Sequence, residues 1–508
     1  MQTFINDLKK IDFKVYLLLI VFSIIFYYLS LKSEIMAGDG IIHLTYFQRT
    51  NIGGNYRTPY YAMLLNFLNI FFSDKELLGK LISSFAGIIT VIPIYLCALL
   101  LFDKRSAFYS SLFWLLTPLL YFLGPNVNDR LLPLPLTILS WYFFIKYYLE
   151  KNNNYLSISI ILALLITAVR PSTYVILPIY LYYTYKEFYQ KNDGYKKVIF
   201  AWSFIVLTLL TKIITGGGGL PISDIYNEWF KPLLPYKIWI LFYNNFEMNL
   251  VSTPYHFTYP LFFVFVCYLI FLKEKIDANL KFALKFFGLI FLIFWLFRTF
   301  WIVFCDWYFI EVIPFFIIFI GKMFVDFEKL VLPKFEHFDF IRKILIFCFK
   351  KKLLFFIAFL NAAIYCFLVA KYMTNTFVGL KRCAEFVKQN IDLKTINQIH
   401  CSDAFHISPY LSTLEFDINK VQENDLVILM DYGLALGKWG FKIQGAIEEL
   451  KNKFEIEELY VGRYESKNFF TNISMKPYRY NFHTEWFPNK YKSQFFNYII
   501  LKINKKRI

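Results

Sequence analysis

Long apolar stretches dominate this chain. From the N-terminus to about Met373 they recur in lengths near 17 to 25 residues, enough to cross a bilayer at about 1.5 Å per residue. Eleven are read as spans, at approximately 13–33, 78–102, 107–123, 129–148, 155–169, 171–185, 198–214, 259–272, 286–304, 307–325 and 353–373. In lipid, a backbone with no water to bond must satisfy itself, so such runs can only be helices. The fold class expected is a polytopic α-helical membrane protein. The first run is too long for a cleaved leader, and no small-residue cleavage site follows it, so it reads as a span.

The distribution of positive charge orients the bundle. Splitting 155–185 at Arg170-Pro171 and placing the N-terminus inside puts twenty-one Lys and Arg in inner loops and seven in outer ones. Merging the two short runs would invert every later loop against the positive-inside rule. This assigns a multi-pass inner (plasma) membrane protein with a cytoplasmic N-terminus. The formal net charge of +17 reflects that bias rather than nucleic-acid binding, because no basic stripe with interleaved aromatics occurs. None of the seven cysteines has metal-ligand spacing. Cys383 and Cys401 would share the outer side, where pairing is open.

Two outer loops are long, 34–77 and 215–258. The first holds Asp39 between Gly38 and Gly40, and an amphipathic stretch from Pro59 to Phe72 that should lie along the interface. The second begins with four glycines, Gly216 to Gly219, which read as a hinge; no Gly-Lys-Ser/Thr follows, so they are not a phosphate-binding P-loop. After about Thr374 the pattern changes. Helical rhythm in 380–390 and 444–454, with strand-like runs at 396–401, 426–430 and 498–503, predicts a small α/β domain over 374–508, outside the membrane.

Outward carboxylates near the membrane are Asp39, Asp129, Asp224, Asp306 and Glu311; outward cations are Arg57, Arg130, Arg170 and Arg298. An arginine fork suits a phosphate, and an acid partly withdrawn from water suits proton abstraction from a hydroxyl. Each has a plain structural alternative: Asp39 a turn residue, Arg170 and Arg298 snorkelling side chains, Asp129-Arg130 a local pair, His43 a structural histidine sharing a helix face with Asp39.

Taken in order, these features resemble glycosyltransferase family 39 of the GT-C membrane glycosyltransferases, which includes protein O-mannosyltransferases and the aminoarabinose transferase acting on lipid A. Asp39 stands where that family has an acid in its first outer loop. Arg57 to Leu64 stands at the His-Pro-Pro-Leu-Tyr-like segment. The stretch Lys80-Leu81-Ile82-Ser83-Ser84-Phe85-Ala86-Gly87, the inner turn Phe102 to Arg105, Thr117-Pro118, the second acid Asp129 and Arg170-Pro171-Ser172 follow in sequence. The later Arg-Tyr-x-x-Pro-x-x-Pro pattern is only partly kept, since Trp307 to Pro314 carries Trp for Arg and Glu311 for the first Pro; Arg57 and Thr58 also depart from the family's His and Pro.

The resemblance implies an enzyme that moves a sugar from a polyprenyl-phosphate donor to an acceptor hydroxyl of protein, glycolipid or polysaccharide, at the outer face and with inversion. Asp39 and Asp129 would be catalytic, and His43, Arg57, Arg130, Arg170, Arg298, Asp306 and Glu311 would bind substrate. The reading requires no cofactor and leaves a divalent metal open. Two alternatives remain: an oligosaccharyltransferase-like enzyme, for which Met430-Asp431-Tyr432-Gly433 lacks the expected tryptophans, and a lipid-linked glycan transporter or flippase, for which no internal repeat is found.

Overall fold

In the computed structural model, residues 2–33, 44, 60–72, 74–169, 177–190, 195–203, 278–299, 310–311, 313–331, 353–375, 379–402, 404–407, 410–430, 443–467 and 493–507 are described. The chain divides into two compact units, one of 1–30 and 51–369, the other of 31–50 and 370–508.

The first unit is helical. Its elements are α1 (Gln2–Leu8), α2 (Phe13–Lys32), α3 (Tyr60–Leu68), α4 (Lys75–Ile89), α5 (Val91–Leu101), α6 (Lys104–Leu115), α7 (Pro118–Leu123), α8 (Leu134–Glu150), α9 (Asn153–Val169) and α10 (Leu177–Tyr189). Residues 195–203 are helical (α11), and α12 (Ala278–Thr299), α13 (Ile313–Val331) and α14 (Leu353–Asn375) follow, the last running on into the second unit. Prolines decide where two expected spans break. Pro93 has no N–H, and its ring opposes the Ile89 carbonyl one turn back, which is where α4 ends. Thr117, before Pro118, is extended at ψ 117°, so α6 and α7 are separate. Pro133 and Pro135 likewise delay α8 to Leu134, leaving Asp129 and Arg130 in a loop rather than opening the helix as the sequence pattern predicts. The expected span 259–272 lies outside the described residues, and α12 begins eight residues before the expected 286.

The apolar helices bury one stripe and expose the rest. On α2, Val15, Phe22, Phe26 and Leu29 are buried while Phe13, Leu17, Ile20, Ile24 and Tyr28 are exposed. On α14 the buried stripe is Ala358, Ala362, Cys366 and Val369, opposite exposed Phe356, Leu360, Ile364 and Phe367. Exposed apolar side chains on this scale belong against hydrocarbon. By length and composition, α2 and the continuous stretch Lys75–Leu101 are each sufficient to cross a membrane.

Inside the bundle, polar side chains bond across helices. Ser110 Oγ lies 3.2 Å from the Ile318 carbonyl, joining α6 to α13. That approach requires Gly321, where a Cβ would lie 2.2 Å from the Ser106 carbonyl and 2.2 Å from Ser110 Oγ. α1 is fastened to α8 by a buried cluster in which Asp7 accepts from Lys10 at 2.7 Å, Tyr142 at 2.5 Å and Lys146 at 2.6 Å. Burial alone would raise the Asp7 carboxyl, but these donors outweigh it and hold it down at about 2.

The second unit is α/β. Its sheet runs β2 (Leu414–Glu415), β1 (Ile399–Cys401), β3 (Leu426–Met430), β5 (Ser493–Lys506), β4 (Phe454–Lys467), with β2, β1 and β3 parallel and β5 antiparallel to both neighbours. α15 (Gly379–Asn390), α16 (Ala404–Ile407) and α17 (Ile443–Lys453) complete it. Leu450 on α17 packs on Val427, Leu429, Leu501 and Ile503, and all five residues of β3 are buried, as its continuous apolar run requires. His400 and Asp425 form a buried pair at 3.0 Å. Cys383 and Cys401 are buried and not joined in a disulfide, and burial raises the Cys383 thiol to about 12.

Two outcomes check this packing. Gly321→Ala should cost about 1–3 kcal/mol, seen as a lower melting temperature in detergent, because the obstructing atom is backbone. The Asp7 carboxyl is depressed, so its contribution is present above about pH 4 and is lost as pH falls towards about 2. Asp7→Asn should therefore destabilise the fold at neutral pH by up to about 3 kcal/mol, seen as a lower melting temperature, and the gap to wild type should narrow on acidification. A gap that holds constant to pH 2.5 would show that the charge is not what matters.

Candidate functional site

The start of α4 carries a polar line on an otherwise apolar helix. Asp74 caps it, accepting from the Leu77 N–H at 2.9 Å, and Glu76 in the first turn lies favourably against the helix dipole. Glu76, Lys80, Ser83, Ser84 and Gly87 follow at spacings of four, three, one and three, which is one helix face. Lys80 is only 3% exposed and is ion-paired with Glu76. A buried ammonium is tolerated only with such a partner.

The loop between α7 and α8 is fastened to this face. Ser83 Oγ lies 2.8 Å from the Asn128 carbonyl and 3.0 Å from the Asn128 N–H, and 3.0 Å from the Tyr61 hydroxyl. Tyr61, on α3, donates to the Gly79 carbonyl at 2.8 Å. Gly79 lacks a side chain where Val127 packs: a Cβ there would lie 3.0 Å from both Val127 methyls. Asn128 Oδ1 in turn accepts the Arg130 N–H at 2.7 Å. These bonds bring Asn128, Asp129 and Arg130 against the turn of α4 that holds Lys80. Burial drives the Tyr61 hydroxyl well above its ordinary pKa, and the neighbouring Asp129 carboxylate adds to that shift.

Two buried cations thus lie on segments that Ser83 and Asn128 bond together: Lys80 with Glu76 on α4, and Arg130 next to Asp129 in the loop. Out of water, cations attract an oxyanion far more strongly than at a surface. Asp129 and Arg130, which the sequence pattern has opening a span, stand instead in the loop between α7 and α8. Glu311 is 5% exposed, in the short turn before α13. Arg298 lies on α12, its side chain outside the described part of the structure. Asp39, His43, Arg57, Arg170 and Asp306 lie outside the described residues. Among the described residues, no three His, Cys, Asp or Glu side chains group to hold a metal.

Sequence reasoning quoted Tyr61, Lys80 and Ser83 as parts of patterns without assigning them a role, and passed over Asn128. The available signal for Lys80 was its spacing of four from Glu76 on an apolar span, where a charge needs a partner and a reason. Nothing in sequence could show that Tyr61, Ser83 and Asn128, up to 67 positions apart, share a hydrogen-bond network.

Residues 56–214, which include Tyr61, Glu76, Lys80, Ser83 and Asn128 to Arg130, match the family model described as dolichyl-phosphate-mannose-protein mannosyltransferase. Solved structures are similar over most of the chain. ArnT from Cupriavidus metallidurans in the apo state matches with a TM-score of 0.56 at 12% identity, covering 88% of this chain and 96% of that one. The same protein bound to undecaprenyl phosphate matches with a TM-score of 0.57 at 11% identity and the same coverage. The Archaeoglobus fulgidus oligosaccharyltransferase in complex with zinc and sulfate matches at 13% identity with a TM-score of 0.48, over 82% of this chain and 68% of that one. No curated protein matches by sequence. The chain thus resembles the GT-C membrane glycosyltransferases, in sequence over 56–214 and in fold over most of its length, and its architecture is a polytopic helical membrane fold.

Proposed function

We propose that this protein is a glycosyltransferase that moves a sugar from a polyprenyl-phosphate donor to an acceptor hydroxyl at the outer face of the membrane. The observation that carries the reading is that buried Lys80 and the loop of Asp129 and buried Arg130 lie on segments bonded together through Ser83 and Asn128, inside the segment that matches the mannosyltransferase model. A structural neighbour is known with undecaprenyl phosphate bound, and a phosphate at the end of a polyprenyl chain is the ligand such a site suits: the tail partitions into lipid and the head group meets fixed positive charge.

The reaction is a single displacement. The acceptor oxygen attacks the anomeric carbon while the bond from that carbon to the phosphate oxygen breaks, inverting the centre. The electron pair leaves on the polyprenyl phosphate, and the acceptor proton passes to a carboxylate. Because the leaving group is already an anion, fixed cations can replace a general acid. Lys80 and Arg130 supply that charge, joined by Arg57, Arg170 and Arg298. Asp39 is the base, and Asp129 orients the acceptor or a partner. His43, Asp306 and Glu311 complete the substrate shell. The N-terminus is placed in the cytoplasm, and the α/β unit outside.

Two variants test the roles. Asp39→Asn keeps shape but cannot accept a proton at working pH, so transfer should fall by about two or more orders of magnitude with donor binding retained. The paired change Glu76→Gln with Lys80→Met removes a cation without stranding its partner, and should weaken binding of polyprenyl phosphate about tenfold or more. Near wild-type turnover by the Asp39 variant would return Asp39 to a turn residue and make Asp129 the base. Unchanged phosphate affinity in the paired variant would make Lys80 structural.

A further inference from the structure

We propose that Ser83 is a positioning residue for this site, acting through the backbone of Asn128 on Asp129 and Arg130; the inference rests on the glycosyltransferase reading. Ser83 is fully buried in the middle of α4, two turns beyond Glu76. Its hydroxyl reaches both backbone groups of one residue in a different element: the Asn128 N–H at 3.0 Å and the Asn128 carbonyl at 2.8 Å. The next link is the Asn128 side chain, whose Oδ1 holds the Arg130 N–H at 2.7 Å. The main chain on both sides of Asp129 is thereby tied to a helix, although Asp129 itself sits in a loop.

The second half of the network keeps Ser83 in place. Tyr61 bridges Ser83 Oγ at 3.0 Å and the Gly79 carbonyl at 2.8 Å, so α3, α4 and the loop meet at one hydroxyl. The adjacent serine is a natural contrast. Ser84 is equally buried, but its hydroxyl pairs with Ser30 Oγ on α2 at 3.2 Å and lies on no path to Asp129 given by these bonds. A serine that merely filled a polar gap between helices would behave as Ser84 does. A serine that aims the loop would change the chemical step and leave donor affinity nearly alone, because catalysis is sensitive to small misplacements that binding tolerates.

The test is a double-mutant cycle on the full chain in liposomes, with a synthetic polyprenyl-phosphate sugar as donor. Ser83→Ala should lower kcat about tenfold, change KM for the donor less than twofold, and melt no earlier than Ser84→Ala. Its effect should largely vanish in an Asp129→Asn background, since residues acting through one group are not additive. If Ser83→Ala does not fold, Asn128→Ala, which removes the acceptor of the Arg130 N–H, should show the same loss and the same non-additivity. Independent multiplication of the Ser83 (or Asn128) and Asp129 effects would overturn the inference. So would an equal loss in Ser84→Ala, or an unchanged kcat. A wild-type protein with no turnover at all would overturn the glycosyltransferase reading, and this inference with it.

Discussion

A polar group in hydrocarbon has no water to fall back on, and most of this structure follows from where such groups find partners. Backbone groups are satisfied by helices, which is why the apolar runs can take no other form. Near the proline breaks, side chains add bonds to helix carbonyls. Thr90 Oγ1 bonds the Ala86 carbonyl at 2.7 Å beside the Pro93 break, and Trp114 Nε1 bonds the Gly87 carbonyl at 2.8 Å. Ser83 does the same for the loop at 126–130. The interactions that make the bundle possible are thus the ones that hold an irregular, charged segment at one end of it.

The same physics separates the two kinds of buried charge. Asp7 and Lys146 form a many-donor cluster between α1 and α8, with Tyr142 and Lys10 completing the acceptor's demand. Such a cluster is saturated within the protein and serves as a fastening. At the start of α4, Lys80 and Glu76 lie one turn from a loop that brings a further acid and a further arginine. On the proposed reading, an anion entering there would meet positive charge already desolvated, so little reorganisation would be needed when negative charge develops on a leaving group.

Much of the fold was legible in sequence because hydrophobic length is a strong signal. α2 begins at the expected residue, α14 begins where its run begins, and Leu426–Met430 is the predicted strand residue for residue. Misses have local causes. The helix expected from residue 129 starts at Leu134, because two prolines outweigh hydropathy at the boundary. β4 went unread because register shifts between Glu455 and Ile456 and between Glu458 and Tyr460 break the period-two alternation that marks a strand. At the site, Asp129 and Arg130 were readable as an adjacent carboxylate and cation. Their attachment was not, since it runs through Ser83 and Tyr61, ordinary residue types joined only by folding.

The central claim is that the gathered charges serve transfer from a lipid phosphate rather than transport of one. Purified protein in liposomes, given a labelled polyprenyl-phosphate sugar and a mixture of hydroxyl acceptors, decides it. The account predicts that free polyprenyl phosphate appears in step with labelled acceptor product. Donor that crosses the bilayer intact, or that remains unconsumed, would contradict it.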